Sequence, residues 1–367
     1  LASMPIATLA SGRAIVIDTT APTVSGVEIT GEDGIQNSFL NVGDNVSVTV
    51  TFSENSPVTG TPQLTLAVGD DNQTATYASS GSGGTTLVFQ YTIQAGDNDT
   101  NGISIRANAL ALDNGTIMDL AENNAILTHS AVDNNSSYKV DTTPPRVDNF
   151  TLSDTALKAG DNATVTLDFS EAVASFSSAD DITVDNGTLA TMTSSDNKTW
   201  EGTFTPTANT EDDNNTLSLA TSYTDLAGNA GPAATTANYA IDTLLPTISS
   251  VTAGWGTFLN ATEDNSAGTV TVVTSGAENG QTVTVALNGT NYTGTVSDNS
   301  TSVTFAATGL QALTDGSSYT LTTNVSDAAG NAATVNTGTS FTYDITAPTI
   351  SGGVAITSGT DMLNNFL

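Results

Sequence analysis

The sequence predicts an all-β chain of tandem β-sandwiches. Three observations carry that prediction: a period-two alternation of apolar and polar residues, a junction motif that occurs four times, and an acidic, cysteine-free composition. The alternation comes first. Ser47-Val48-Thr49-Val50-Thr51-Phe52, Ala163-Thr164-Val165-Thr166-Leu167-Asp168-Phe169 and Thr282-Val283-Thr284-Val285-Ala286-Leu287 each place apolar residues at alternate positions, with Thr filling most of the others. Successive side chains of a strand point to opposite faces, so these runs read as half-buried antiparallel strands. No helical periodicity is sustained anywhere in the chain.

The junction sets the organisation. Ile17-Asp18-Thr19-Thr20-Ala21-Pro22 returns as Val140-Asp141-Thr142-Thr143-Pro144-Pro145, as Ile241-Asp242-Thr243-Leu244-Leu245-Pro246 and as Tyr343-Asp344-Ile345-Thr346-Ala347-Pro348. The Asp-to-Asp spacings are 123, 101 and 102 residues, each the length of one sandwich. Proline fixes φ and removes a donor, so each junction should leave one sheet and enter the next stiffly. The expected division is therefore residues 18–140, 141–241 and a divergent 242–343. Residues 1–17 are expected to be the last strand of a preceding domain, and residues 344–367 the start of a further one.

Two more elements recur. Asp119-Leu120-Ala121-Glu122-Asn123, Asp225-Leu226-Ala227-Gly228-Asn229 and Asp327-Ala328-Ala329-Gly330-Asn331 precede the next junction, with Gly and Asn suited to a tight turn of positive φ. Phe52-Ser53-Glu54 and Phe169-Ser170-Glu171 end one strand of the first two units, while the third has Ser275-Gly276-Ala277-Glu278.

Composition narrows the function. There are 38 Asp and Glu against 6 Lys and Arg, a net charge of −32. Such a balance repels nucleic-acid phosphates and anionic membranes, and suits hard cations, which take oxygen ligands. The absence of cysteine removes thiol catalysis, thiolate zinc sites and iron–sulfur clusters. No apolar run approaches the ~20 residues of a membrane span. The one histidine, His129, stands between Thr128 and Ser130 and makes no case for a Ser–His–Asp triad. Trp200 and Trp255 read as core residues rather than a sugar platform. No catalytic residues and no organic cofactor are expected.

Taken as a set, the Asp-Thr-Thr-Ala-Pro junction, the Phe-Ser-Glu strand end and the Asp-Leu-Ala-Gly-Asn turn resemble the bacterial immunoglobulin-like repeats of giant calcium-dependent, RTX-type surface adhesins. The resemblance covers roughly residues 14–350. It implies tandem immunoglobulin-like sandwiches in an elongated array at the cell surface, Ca²⁺ at the domain joints, and a role as an extender. The Gly-Gly-x-Gly-x-Asp nonapeptides of RTX secretion regions are absent from this sequence.

In such a sandwich the junction, the acid after the second strand and the turn before the last strand lie at one pole. Asp18, Glu54, Asp119 and Asn123 are thus expected to converge. So are Asp141, Glu171, Asp225 and Asn229 between the first two units, and Asp242, Glu278, Asp327 and Asn331 between the second and third. Asp344 would await a further domain. Carboxylates gathered so closely repel one another unless a cation sits among them, and Ca²⁺ takes 6–8 oxygens. The expected partners are neighbouring immunoglobulin-like domains and calcium ions. The alternative reading is a subunit of a surface layer or extracellular filament that self-assembles by strand exchange through residues 1–17 and 351–367.

Overall fold

The computed structural model describes residues 16–349 and 351–352 of the chain. The terminal strands expected to pair with neighbouring chains lie almost wholly outside these residues. Within them the chain is built from strands, with two one-turn helices at Ser178–Asp181 and Ala307–Leu310. No helix among the described residues is long and apolar enough to cross a membrane.

The strands enclose three separate cores. Val46, Val48, Val50, Phe52, Leu64, Leu66 and Phe89 belong to the first. Val165, Leu167, Phe169, Phe204, Tyr223 and Tyr239 belong to the second. Val270, Val272, Val283, Val285, Phe305 and Phe341 belong to the third. The expected alternation is met residue for residue in Asn45–Phe52, where Val46, Val48, Val50 and Phe52 are buried and the residues between them are half-buried. Trp255 lies in the third core, edge-on to Phe305 and Phe341, and Trp200 packs edge-on to Phe176 beside the second.

Each unit is a sandwich of antiparallel sheets. In the first, a six-stranded sheet runs in the order Val24–Asp33, Asn45–Phe52, Thr86–Thr92, Asp71–Gly83, Gln63–Val68, Leu110–Ala111. A smaller sheet is formed by Phe39–Leu40, Lys139–Asp141 and Asn98–Asp99. The second unit has a four-stranded sheet around Ala163–Phe169 and two three-stranded ones. The third has sheets of three and five strands.

One exception to antiparallel pairing recurs in all three units and sets the direction of the chain. Phe39–Leu40 pairs parallel with Lys139–Val140, Ala156–Lys158 with Ala240–Asp242, and Phe258–Leu259 with Thr342–Tyr343. An early strand and the last strand therefore run the same way, so the chain enters each sandwich at one pole and leaves at the other. The junction Asp at the end of each last strand is thereby delivered to the pole of the next unit.

Candidate metal centre

The Phe-Ser-Glu strand end divides its work among three residues. Phe52 and Phe169 fill the cores. Ser53 and Ser170 clasp the incoming linker just past its proline: the Thr23 N–H donates to Ser53 Oγ at 3.0 Å, and the Ser53 N–H to the Thr23 carbonyl at 2.9 Å. The pair Ser170 and Arg146 repeats the clasp at 2.8 Å in both directions. Glu54 and Glu171 are thus held beside the linker.

The turn supplies the second carboxylate. Asp225 is 1% exposed. Its Oδ1 accepts the N–H groups of Ala227 and Asn229 at 2.8 and 2.9 Å, and its Oδ2 accepts the Asn229 amide at 2.8 Å. The same Asn229 amide donates to the carbonyl of Asp141 at 2.9 Å, tying turn to junction. Asp119 and Asn123 reproduce this arrangement, with Asn123 reaching the Asp18 carbonyl at 3.2 Å. Asp327 and Asn331 do so again, with Asn331 donating to the Asp242 carbonyl at 2.9 Å. The Asn side chains therefore bind turn to linker, each through its amide nitrogen. Gly228 and Gly330 take the positive φ that the turn requires, and Glu122 takes it in the first unit at 68°.

The junction Asp is the third carboxylate. Asp18, Asp141, Asp242 and Asp344 each accept the N–H two residues on through Oδ1, a short Asx turn. Two triads come together. Carboxylate oxygens of Asp18, Glu54 and Asp119 lie within 4.8 Å of one another, as do those of Asp141, Glu171 and Asp225. Calcium–oxygen bonds of about 2.3–2.6 Å put opposed ligands roughly 4.6–5.2 Å apart, so one ion can meet all three members of either triad. Asp242, Glu278 and Asp327 are neighbours but do not close to that distance, and Asp344 lies beyond the third unit without such a set around it among the described residues.

Charge crowding is visible in the titration of these groups. Burial, then repulsion from Asp141 and Asp225, pushes the Glu171 carboxyl above its ordinary value, partly offset by Lys198 and Arg146. Asp141 is raised by burial and by Asp225 against the stabilising Thr143 N–H. Glu54 is raised by burial, then by Asp18 and Asp119. Burial works against the Asp119 carboxylate too, but the hydrogen bonds from Asn123 and Ala121 hold it below its ordinary value.

Several contacts at the joints are made by residues to which the sequence reading gave no role. Thr142, buried behind the junction Asp, accepts the Gly96 N–H and donates to the Asp97 carbonyl, fastening the linker to the unit it leaves. Thr243 does the same with Thr210 and Thr207. The Thr after the junction Asp, present in three of the four junctions, was a findable signal. Across the first joint, Asn37 and Asn41 donate to the carbonyls of Leu226 and Ala227 at 2.9 and 2.8 Å. Across the second, the Ala159 N–H donates to Asn331 Oδ1 at 2.8 Å. His129 sits away from the joints: its Nε2 accepts the Ala109 N–H and its Nδ1 donates to the Ser130 carbonyl.

Residues 141–241 match the family described as a bacterial Ig-like domain. No curated protein sequence matches the chain. Among solved structures, the chain is similar to part of a 1.5-MDa bacterial ice-binding adhesin, at 21% identity over 87% of this chain and 98% of that one, with a TM-score of 0.35. It is also similar to a Ca²⁺-stabilized, ice-binding adhesin of an Antarctic bacterium, at 20% identity over 90% of this chain and 75% of that one, TM-score 0.35. A bacterial immunoglobulin-like domain from the M. primoryensis ice-binding adhesin is 31% identical over 28% of this chain and 95% of its own length, TM-score 0.21. Through the unit at residues 141–241, the chain belongs to the bacterial Ig-like domain family.

Proposed function

We propose that this chain is a non-enzymatic extender segment of a large extracellular, cell-surface adhesin, divided at its junction Asp residues and stiffened by calcium where sandwiches meet. The observation that carries the calcium reading is the Asp141, Glu171 and Asp225 triad, three carboxylates within 4.8 Å at the joint between two sandwiches. A cation there would bind the linker, the strand end and the turn to one another, removing the joint's freedom to bend. Ca²⁺ takes about 6–8 oxygens, and the carboxylates supply three or more, with backbone carbonyls and water to complete the shell. The adhesin role follows from the resemblance of the junction, strand-end and turn motifs to adhesin repeats. Extracellular modules bind calcium at roughly 10⁻⁴–10⁻³ M, so salty surroundings would keep such joints filled.

Small-angle scattering of the full chain with about 5 mM calcium, well above that range, and then with a chelator tests the proposal. The expected result is a longer, narrower distance distribution with calcium and a shorter, broader one without it. Identical profiles, with no heat of calcium binding in calorimetry, would overturn it.

A further inference from the structure

The two joints inside the described chain are built differently. At the first, the contact from the preceding sandwich is made by side-chain amides: Asn37 and Asn41 donate to turn carbonyls, and the Gln36 side chain covers Gly228. The same joint holds the Asp141, Glu171 and Asp225 triad, with the Glu171 carboxyl beside two other acids.

At the second joint Asp242 and Asp327 are bonded as Asp141 and Asp225 are, but two of the corresponding groups have a further occupation. Glu278 Oε2 accepts the Ala328 N–H at 2.8 Å, which turns that carboxylate onto the turn backbone. Asn331 uses both ends of its amide: Nδ2 donates to Asp327 and to the Asp242 carbonyl, while Oδ1 accepts the Ala159 N–H of the second sandwich. Leu40-Asn41-Val42-Gly43-Asp44 corresponds to Leu157-Lys158-Ala159-Gly160-Asp161, so a lysine stands where the first joint has Asn41. Its ammonium nitrogen lies 3.5 Å from the position a Cβ on Gly330 would take, over the turn of the third sandwich. The linker carries Leu244 and Leu245 in place of Thr143 and Pro144. Both leucines are exposed, at 41% and 42%, and Leu245 lines a groove with Ala159 and Thr243.

We infer that the second joint is set by the protein's own groups and keeps its angle without a cation, whereas the first is stiff only when calcium is bound. The inference rests on the calcium reading given above. Lys158 reaches over the turn of the third sandwich, and the Ala159–Asn331 bond ties that turn to the second sandwich. The second and third sandwiches therefore move as one body, and the calcium-gated bend lies ahead of residue 141.

The natural absence of cysteine allows clean paired spin labelling on exposed strand threonines of the full chain. Thr74→Cys with Thr164→Cys spans the first joint, and Thr164→Cys with Thr271→Cys spans the second; all three sites are exposed. Distances measured by double electron–electron resonance should broaden at least twofold in width across the first joint when calcium is chelated, and stay unchanged across the second. Lys158→Ala should broaden the second pair both with and without calcium. In calorimetry, Asp141→Asn should lose one bound ion, while Glu278→Gln should bind as many ions as the wild type with affinity within twofold. A second pair that narrows with calcium as the first does overturns this inference and leaves the calcium reading standing. A first pair that ignores calcium overturns the calcium reading, and this inference with it.

Discussion

Asp225 does two jobs that substitution can separate. Its carboxylate is buried and accepts three hydrogen bonds within the turn, so it shapes the joint whether or not an ion is present. Asp141 accepts one, from Thr143, and is half-exposed. Asp225→Ala leaves buried donors without partners and should cost the second sandwich about 2–3 kcal/mol even in chelator. Asp141→Asn should cost less than about 1 kcal/mol in chelator, because an exposed cap is lost at most, yet abolish the extra stability that calcium confers. Trp200, packed beside the second core, reports this unfolding in denaturant titrations. The carboxylates were legible in the sequence because they recur in register with the junction. The partners of Asn41 and Ala159 were not, since those contacts join residues 186 and 172 positions apart and neither is repeated.

At the scale of the element, the Asp-x-x-x-Asn turn shows how one design tolerates imperfect residues. Positive φ at its fourth position is free for Gly228 and Gly330 but strained for Glu122. Glu122→Gly should therefore stabilise the first sandwich by roughly 0.5–1 kcal/mol, read as a rise in its thermal midpoint in chelator. An unchanged or lowered midpoint would show that the Glu122 side chain earns its place through a contact of its own. The strands themselves were readable from alternation, as in Asn45–Phe52, because a half-buried strand has no other way to place Val and Thr. The short parallel strands Phe39–Leu40 and Phe258–Leu259 were not, since two residues carry no period. Nor was the turning of Glu278 onto Ala328, which depends on the shape of a loop rather than on spacing.

For the molecule as a whole, acidity should act in opposite directions with and without calcium. Glu54, Asp141, Glu171 and Asp242 all have carboxyls raised by burial and then by neighbouring acids, Asp242 against the Leu244 N–H. A raised value in the fold means that the protonated form is favoured there. The stability these groups contribute is complete below their unfolded range and is lost as pH rises through the raised values. In chelator, lowering the pH towards the ordinary carboxyl range should thus stabilise the joints, which differential scanning calorimetry would show as a higher midpoint. In saturating calcium the same change should lower it, because the ion requires carboxylates. Asp119 and Asp315, held below their ordinary values, pull the other way and only at lower pH. The parallel pairing of an early strand with the last one has a mechanical meaning as well. The last strand of each sandwich leads straight into the linker, so tension drawn along the array runs along that strand. Its bonds to the parallel neighbour lie across the line of pull. Under such a pull they would be loaded together in shear instead of being peeled apart in turn.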